Sequence, residues 1–493
     1  MTFLGIDLGT SEVKLLLLDA VGTIVGQAGA PLQVSRPQPL WSEQAPQDWW
    51  RATEGAVAKL RSAHPESFAR VRAIGLSGQM HGAVLLGARD DVLRPAILWN
   101  DGRSHAQCDE LTRRAPMLHA VAGNLAMPGF TAPKLLWVKA HEPEVFAQVR
   151  SVLLPKDYLR LLLSGEKVSD PSDAAGTLWL DVAARDWSDE LLAACDLSRA
   201  QMPRLVESNQ PSAVLRPELA KAWGLQPEVV IAGGAGDNAA SAIGIGAVRP
   251  GDGFISLGTS GVLFVVNDRF RPNPASAVHA FCHALPQRWH QMSVMLSAAS
   301  CLKWFADLSG ARDEASLLAD VALLPEQALA HAPVFLPYLA GERTPHNNPF
   351  AQGAFHGLTH EHTRAHCTYA VLEGVAFGMA DGLAALQAAG TEVSQLSLVG
   401  GGARSGLWAQ LIADALDVEI VTHAGGEAGG ALGAARLGFL AAGGDEAQVC
   451  AKPDVAARYL PRPQRLALLQ QRLQRFREIY RRLEPLSFAG GKA

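Results

Sequence analysis

Two short segments, half a chain apart, place glycine and hydroxyl residues between apolar runs. Residues 3–11 read Phe-Leu-Gly-Ile-Asp-Leu-Gly-Thr-Ser, and residues 254–261 read Phe-Ile-Ser-Leu-Gly-Thr-Ser-Gly. Such a turn exposes backbone N–H groups and hydroxyls, and both hold phosphate oxygens. A single Gly-Thr-Ser turn is ordinary. Two in matching contexts, Gly9-Thr10-Ser11 and Gly258-Thr259-Ser260, point to a nucleotide phosphate chain gripped from both sides of a cleft. Asp7 stands on the first apolar run, where an ionised carboxylate is costly unless it is paired or binds a cation. Mg²⁺ takes few carboxylates plus waters and phosphates, which suits one Asp beside a phosphate turn; the alternative is a turn cap. Lys14 either adds positive charge near the phosphates or is a solvated strand-end lysine.

Four further clusters carry functional groups. Asp237, in Gly233-Gly234-Ala235-Gly236-Asp237-Asn238, follows a glycine-rich strand end, where a carboxylate can accept the proton of an attacking hydroxyl. The same position suits an N-cap of the next helix. Gly400-Gly401-Gly402-Ala403-Arg404-Ser405 joins a strand to a helix, and its bare backbone lets a flat base approach. Gly78-Gln79-Met80-His81-Gly82 and Trp99-Asn100-Asp101-Gly102-Arg103 are polar loops after apolar strands, where α/β proteins bind ligands. The second could bind several sugar hydroxyls with Trp99 as an apolar wall, or be a plain Asn-Asp-Gly turn. His356, His360, His362 and His366 invite a metal, but only His362 and His366 have i,i+4 spacing on an expected helix, and surface or packing roles are preferred. No GxxxxGK[ST] occurs, nor a GxGxxG opening a helix after the first strand, which excludes a P-loop enzyme and argues against a Rossmann dehydrogenase.

The elements that must position these groups alternate. Hairpins are expected at 3–18 and 254–266, strands at 71–77, 229–234 and 395–400, and a helix at 407–416. Alternation of this kind indicates α/β architecture, and the repeated hairpin indicates two homologous halves. The turn-rich stretch 244–252 places a boundary near residue 248. The basic amphipathic pattern over 465–483 reads as a C-terminal surface helix. The domains expected are therefore 1–247, 248–445 and a helical tail 446–493.

The chain has 493 residues, 43 Lys plus Arg against 48 Asp plus Glu, and 48% hydrophobic residues, which excludes disorder as the main state. A net charge of −5, spread along the chain, leaves no footprint for nucleic acid. No run approaches about 20 uninterrupted apolar residues, so no membrane span is expected. Six dispersed cysteines without a CxxC pair and no visible signal peptide lead to a cytoplasmic expectation.

As a set, these residues resemble the FGGY family of carbohydrate kinases over roughly 3–438. Asp7-Leu8-Gly9-Thr10-Ser11 and Leu257-Gly258-Thr259-Ser260-Gly261 resemble its two phosphate hairpins, Gly400 to Ser405 its adenosine loop, and Gly236-Asp237-Asn238 the segment with its catalytic base. The loops 78–82 and 99–103 resemble those of members that phosphorylate D-xylulose. The resemblance implies an actin/hexokinase/Hsp70-like ATPase fold, with duplicated ribonuclease H-like domains around a cleft. It also implies ATP and Mg²⁺, with Asp237 accepting the 5-hydroxyl proton and Asp7 serving the metal. Gln79, Met80, His81, Trp99, Asn100, Asp101, Arg103 and Asn238 would meet the sugar; Gly9, Thr10, Ser11, Gly258, Thr259, Ser260, Gly400, Gly401, Gly402 and Arg404 would meet the nucleotide. Cys367 and Ala140 depart from the family signatures at scaffold positions. Another FGGY kinase, for ribulose, gluconate or a polyol, and an actin- or chaperone-like ATPase are the alternatives. Oligomeric state stays open, with a homodimer as one assembly.

Overall fold

The computed structural model describes residues 1–424 and 429–487. The first half builds a seven-stranded sheet from β1 (Thr2–Leu8), β2 (Glu12–Asp19), β3 (Ile24–Pro31), β4 (Val71–Gly78), β5 (Pro211–Val214) and β6 (Val230–Ala232), in the order β5-β6-β4-β1-β2-β3. The strand Ala235–Gly236 also pairs with β4, and the chain then enters α1 (Asp237–Ile245). The second half builds another seven-stranded sheet. Its elements are β7 (Gly253–Leu257), β8 (Gly261–Asn267), β9 (His279–Cys282), β10 (Trp289–Met295), α2 (Ala299–Ser309), α3 (Arg364–Gln387), β11 (Gln395–Val399), α4 (Gly406–Leu416), β12 (Glu419–His423), α5 (Gly430–Ala441), β13 (Val455–Tyr459) and α6 (Pro463–Ser487). Its order is β9-β10-β8-β7-β11-β12-β13.

The two sheets repeat one pattern. β1 pairs antiparallel with β2 and parallel with β4, and β4 pairs parallel with β6. In the same way β7 pairs antiparallel with β8 and parallel with β11, and β11 pairs parallel with β12. Both hairpins are therefore central, covered on both faces. That is why β1 reads as a nearly unbroken apolar run rather than an alternation.

Each half lends a helix to the interface between the lobes. α1 packs beneath the second sheet, where Ala242 and Ile245 share a core with Phe254 and Phe264. α5 packs on the first sheet, with Ala431, Leu432 and Ala435 against Phe3, Leu16 and Ala73. The approach is very close: a Cβ on Gly5 would lie 2.0 Å from the Ala431 carbonyl oxygen, and one on Gly75 1.7 Å from that of Ala434. The two helices also meet each other, and a Cβ on Gly433 would lie 1.7 Å from the Ala240 carbonyl oxygen. A division near 248 assigns α5 to the second unit by sequence, yet in space it covers the first sheet.

Two other expectations are corrected. The segment expected as a helical tail also holds a strand within its described residues 446–487: β13 is an edge strand of the second sheet. α6 buries Leu469, Phe476 and Ile479 in the second core, and Arg472 donates to Glu373 at 2.8 Å from Nε to Oε1. His362 and His366 do not share a helix, because α3 starts at Arg364. His366 instead completes a capping box with Thr363, and His362 accepts from the Thr359 N–H at 2.8 Å. α3 is long and apolar enough to cross a membrane by length and composition, but 94% of that window is buried inside the protein.

Candidate active site

Between the lobes lies a cleft of about 630 Å³. Asp7, Lys14, Asn238, Ser241, Phe254, Ser256, Gly400, Gly401 and Gly429 line it. Beside it lies a smaller cavity of about 220 Å³, whose wall includes Met80, His81, Trp99, Phe130, Asp237, Asn238, Ser260, His279 and Arg343. Asn238 lines both spaces, so the start of α1 is the partition between them.

Asp237 occupies the first position of α1 rather than the N-cap, which is Gly236. Its Oδ1 accepts from Asn238 N at 2.7 Å and Asn238 Nδ2 at 3.0 Å. Burial, reinforced by repulsion from Asp7, pushes its carboxyl up to about 7 against those hydrogen bonds. Asp7 accepts a 2.9 Å hydrogen bond from Ser77 Oγ, and burial raises its carboxyl as well. It forms no ion pair among the described residues. A half-buried carboxylate with one hydroxyl partner, open to the large cleft, has the donor chemistry for a divalent cation. The start of α5 closes that corner: a Cβ on Gly430 would lie 2.7 Å from Asp7 Oδ1. A helix N-terminus there offers N–H groups to phosphate.

The two turns differ in length. Gly9 N donates to Glu12 O at 3.0 Å, whereas Gly258 N donates to Ser260 O at 3.1 Å in a turn one residue shorter. The second turn is pinned to α2, because Ala299 N donates to Gly258 O at 2.8 Å and Ser300 Oγ to Thr259 O at 2.7 Å. Thr10 Oγ1 donates to Gln79 Oε1 and accepts from Trp99 Nε1, both at 2.9 Å. Gln79 Nε2 donates to Gln44 Oε1 at 3.0 Å, and Gln44 Nε2 returns to Thr10 O at 2.7 Å. The first turn and the Trp99 wall are therefore one hydrogen-bonded unit.

His81 is held in a left-handed conformation, φ +70°, between Gly78 and Gly82. Its Nδ1 donates to Gly176 O at 2.7 Å, and Lys134 Nζ donates to His81 O at 2.8 Å. Burial lowers the imidazole to about 3, so the ring is neutral and presents Nε2 as an acceptor.

The structure brings Asp7, Met80, His81, Trp99, Asp237, Asn238, Ser260, Gly400 and Gly401 to these walls. Gly9, Thr10, Ser11, Gly258 and Thr259 form the adjoining turns without lining either space. Gly402 is buried under Leu257, and Arg404 ends the short helical turn Gly401–Arg404. Four residues expected to meet the sugar stand outside the cavity wall. Arg103, with a 1% exposed side chain, is committed to Asp101 and Glu43 at 2.6 Å each and stacks 3.6 Å over Trp41. Asp101 also accepts from Ser42 N at 2.6 Å. Gln79 is buried behind Thr10, and Asn100 points into solvent. None of the four lines the cavity.

Phe130, His279, Arg343 and the Gly429-Gly430 helix start belong to the site but carried no motif that sequence reasoning used. The signal available was a glycine pair before a small-residue helix, and a charged Glu-Arg inside the turn-rich segment 341–345.

The chain belongs to the FGGY family of carbohydrate kinases, whose N-terminal domain matches residues 2–244 and whose C-terminal domain matches residues 253–442. Its fold is accordingly the two-domain, actin/hexokinase-like kinase fold. It is 54% identical to the xylulose kinase of Escherichia coli K12 over 487 residues, 98% of this chain and 99% of that one. It is 52% identical to the xylulose kinase of Klebsiella pneumoniae, with 98% and 99% covered. The crystal structure of a xylulose kinase from Brucella ovis superposes with TM-score 0.95 at 52% identity, covering 99% of this chain and 100% of that one.

Proposed function

We infer that this chain transfers the γ-phosphoryl group of ATP to the 5-hydroxyl of D-xylulose. The observation that carries the reading is the Asp237–Asn238 partition between a nucleotide-sized cleft and a small cavity walled by aromatic and imidazole groups. The close likeness to xylulose kinases supports the sugar. Asp237 takes the hydroxyl proton, and a carboxyl near 7 is matched to that task at neutral pH. Asn238 fixes the orientation of its Oδ1. Neutral His81 accepts from a sugar hydroxyl, and Trp99 with Phe130 excludes water from the acceptor side. Asp7 would hold Mg²⁺, through water, at the phosphates; bound Mg²⁺–ATP supplies the transferred group and neutralises its charge. The remaining gain is positioning, since phosphoryl transfer asks little covalent chemistry of the protein.

ADP release measured across D-xylulose, D-ribulose, gluconate, glycerol and no sugar tests the reading. A preference for D-xylulose of about 10²-fold or more in kcat/KM is expected. A clear preference for another acceptor replaces the substrate, and sugar-independent hydrolysis at the same rate replaces the kinase reading with an ATPase.

A further inference from the structure

The cavity beside Asp237 holds a cation that the mechanism leaves unused. Arg343, from the segment after Glu342, lines this cavity together with His81, His279 and Phe281. It is half-buried and forms no ion pair among the described residues. The Glu342 carboxylate instead accepts from backbone, Leu296 N at 3.0 Å and Arg343 N at 2.7 Å. The guanidinium Nη1 lies 3.4 Å from His279 Nε2.

The surrounding hydrogen bonds fix which groups donate and which accept. The Asn124 amide is oriented by its Nδ2, which donates to Ala122 O at 2.8 Å and Ala280 O at 2.9 Å. Its Oδ1 therefore accepts, and His279 Nδ1, 3.0 Å away, must donate to it. That leaves His279 Nε2 as an acceptor facing Arg343. His81 reaches the same state by giving its Nδ1 proton to Gly176 O. Trp99 Nε1 is already given to Thr10. His81 Nε2 thus offers a lone pair to a hydroxyl group, His279 Nε2 accepts from Arg343 Nη1, and the remaining N–H groups of Arg343 are the cationic donors of the cavity wall.

Resting on the proposed reaction, the substrate's own chemistry supplies the matching acceptor. A 2-ketopentose closes its ring by adding the 5-hydroxyl to the C2 carbonyl. A molecule whose 5-hydroxyl is free for phosphorylation is therefore the open-chain ketone, with a bare carbonyl oxygen that needs a donor in a largely apolar cavity. We propose that Arg343 is the specificity-determining residue that donates to the C2 carbonyl oxygen of the open-chain ketose and so separates ketoses from polyols of the same skeleton. The second lobe would then contribute directly to sugar recognition as well as to nucleotide binding.

The test compares D-xylulose with xylitol and D-arabinitol, which lack only the carbonyl, in the full-length wild type, Arg343→Met and Arg343→Lys. The ketose-over-polyol ratio of kcat/KM is expected to fall about 10- to 100-fold in Arg343→Met, the range for a lost hydrogen bond to a charged donor. Arg343→Lys, which keeps a charge but loses the fork, should fall between. An unchanged ratio in folded variants, or an equal loss on all three substrates, overturns the proposal. Should Arg343→Met not fold, wild-type protein with [2-¹³C]D-xylulose decides: a bound ketone resonance shifted downfield of the free ketone is expected. A bound hemiketal or an unshifted ketone overturns the proposal. Lack of turnover on D-xylulose by the wild type would instead strike the functional reading, and is seen separately.

Discussion

Trp99 Nε1 donates to Thr10 Oγ1 across 2.9 Å, joining the wall of the small cavity to the first Gly-Thr-Ser turn. The small cavity and the first turn therefore share one hydrogen-bonded unit, completed by Gln79 and Gln44. Replacing Trp99 by Phe keeps the wall and removes the link. A loss of about 2- to 10-fold in kcat/KM for ATP is expected, with a smaller effect on sugar affinity. Trp99→Ala should mainly raise the sugar KM. Steady-state kinetics with each substrate varied separates the two, and identical profiles for both variants would refute the link.

Asp237→Asn preserves size and most of the geometry but cannot take a proton. Turnover should drop by about 10²–10⁴ while sugar affinity, read by calorimetry, stays within a few-fold. Near-normal turnover would remove Asp237 from the role of base.

The same carboxyl predicts the pH profile. With burial and Asp7 holding it near 7, the fraction ionised falls tenfold for each unit below that value. kcat/KM should rise with slope one up to about pH 7 and then level. A profile flat down to pH 5 would show that no such group titrates.

Stability should respond to acid through different residues. Burial lowers His81 and His283 to about 3 and His346 to about 4, well below the ordinary 6.5. At these rings the unfolded chain binds protons that the folded chain refuses, so their stabilisation, present above pH 6.5, is lost progressively as pH falls toward 4, against an opposite pull from the raised carboxyls of Asp237 and Glu342. Thermal unfolding between pH 7.5 and 4.5 should show the midpoint falling, with most of the loss below 6.5.

Packing between α1 and α5 gives a further prediction. A Cβ at Gly433 meets the Ala240 carbonyl at 1.7 Å, so Gly433→Ala forces the helices apart and should cost about 1–3 kcal/mol or more. Gly55, on the exposed face of the helix Pro46–Ala63, meets nothing within 4 Å, and Gly55→Ala should gain about 0.5–1 kcal/mol. Denaturant titration of both variants measures the contrast.

The hairpins, the duplicated halves and the Asp237 segment were legible in the sequence because each depends on local rules: apolar runs, glycine turns and a strand end. Within Trp99–Arg103, Trp99 reaches the cavity wall as expected while Asn100, Asp101 and Arg103 stand outside it, for a physical reason. Asp, Asn and Arg in a turn look equally able to bind a ligand or each other, and only the fold shows that Arg103 is taken by Asp101, Glu43 and Trp41. His279 and Arg343 were hidden because they reach the cavity from the other lobe, His279 through a contact with Asn124, 155 residues away, and Arg343 through His279, 64 residues away. The exchange of α1 and α5 was equally hidden, since helix pattern says which face is apolar but not which sheet receives it.

That exchange limits how such a chain can be cut and recombined. A fragment ending near residue 247 would leave Phe3, Leu16 and Ala73 bare where α5 normally lies. A hybrid of two related chains spliced at 248 would seat one parent's 430–441 segment on the other parent's β1 and β4. Inheritance of a working first lobe therefore requires a piece of sequence encoded almost two hundred residues beyond its apparent end.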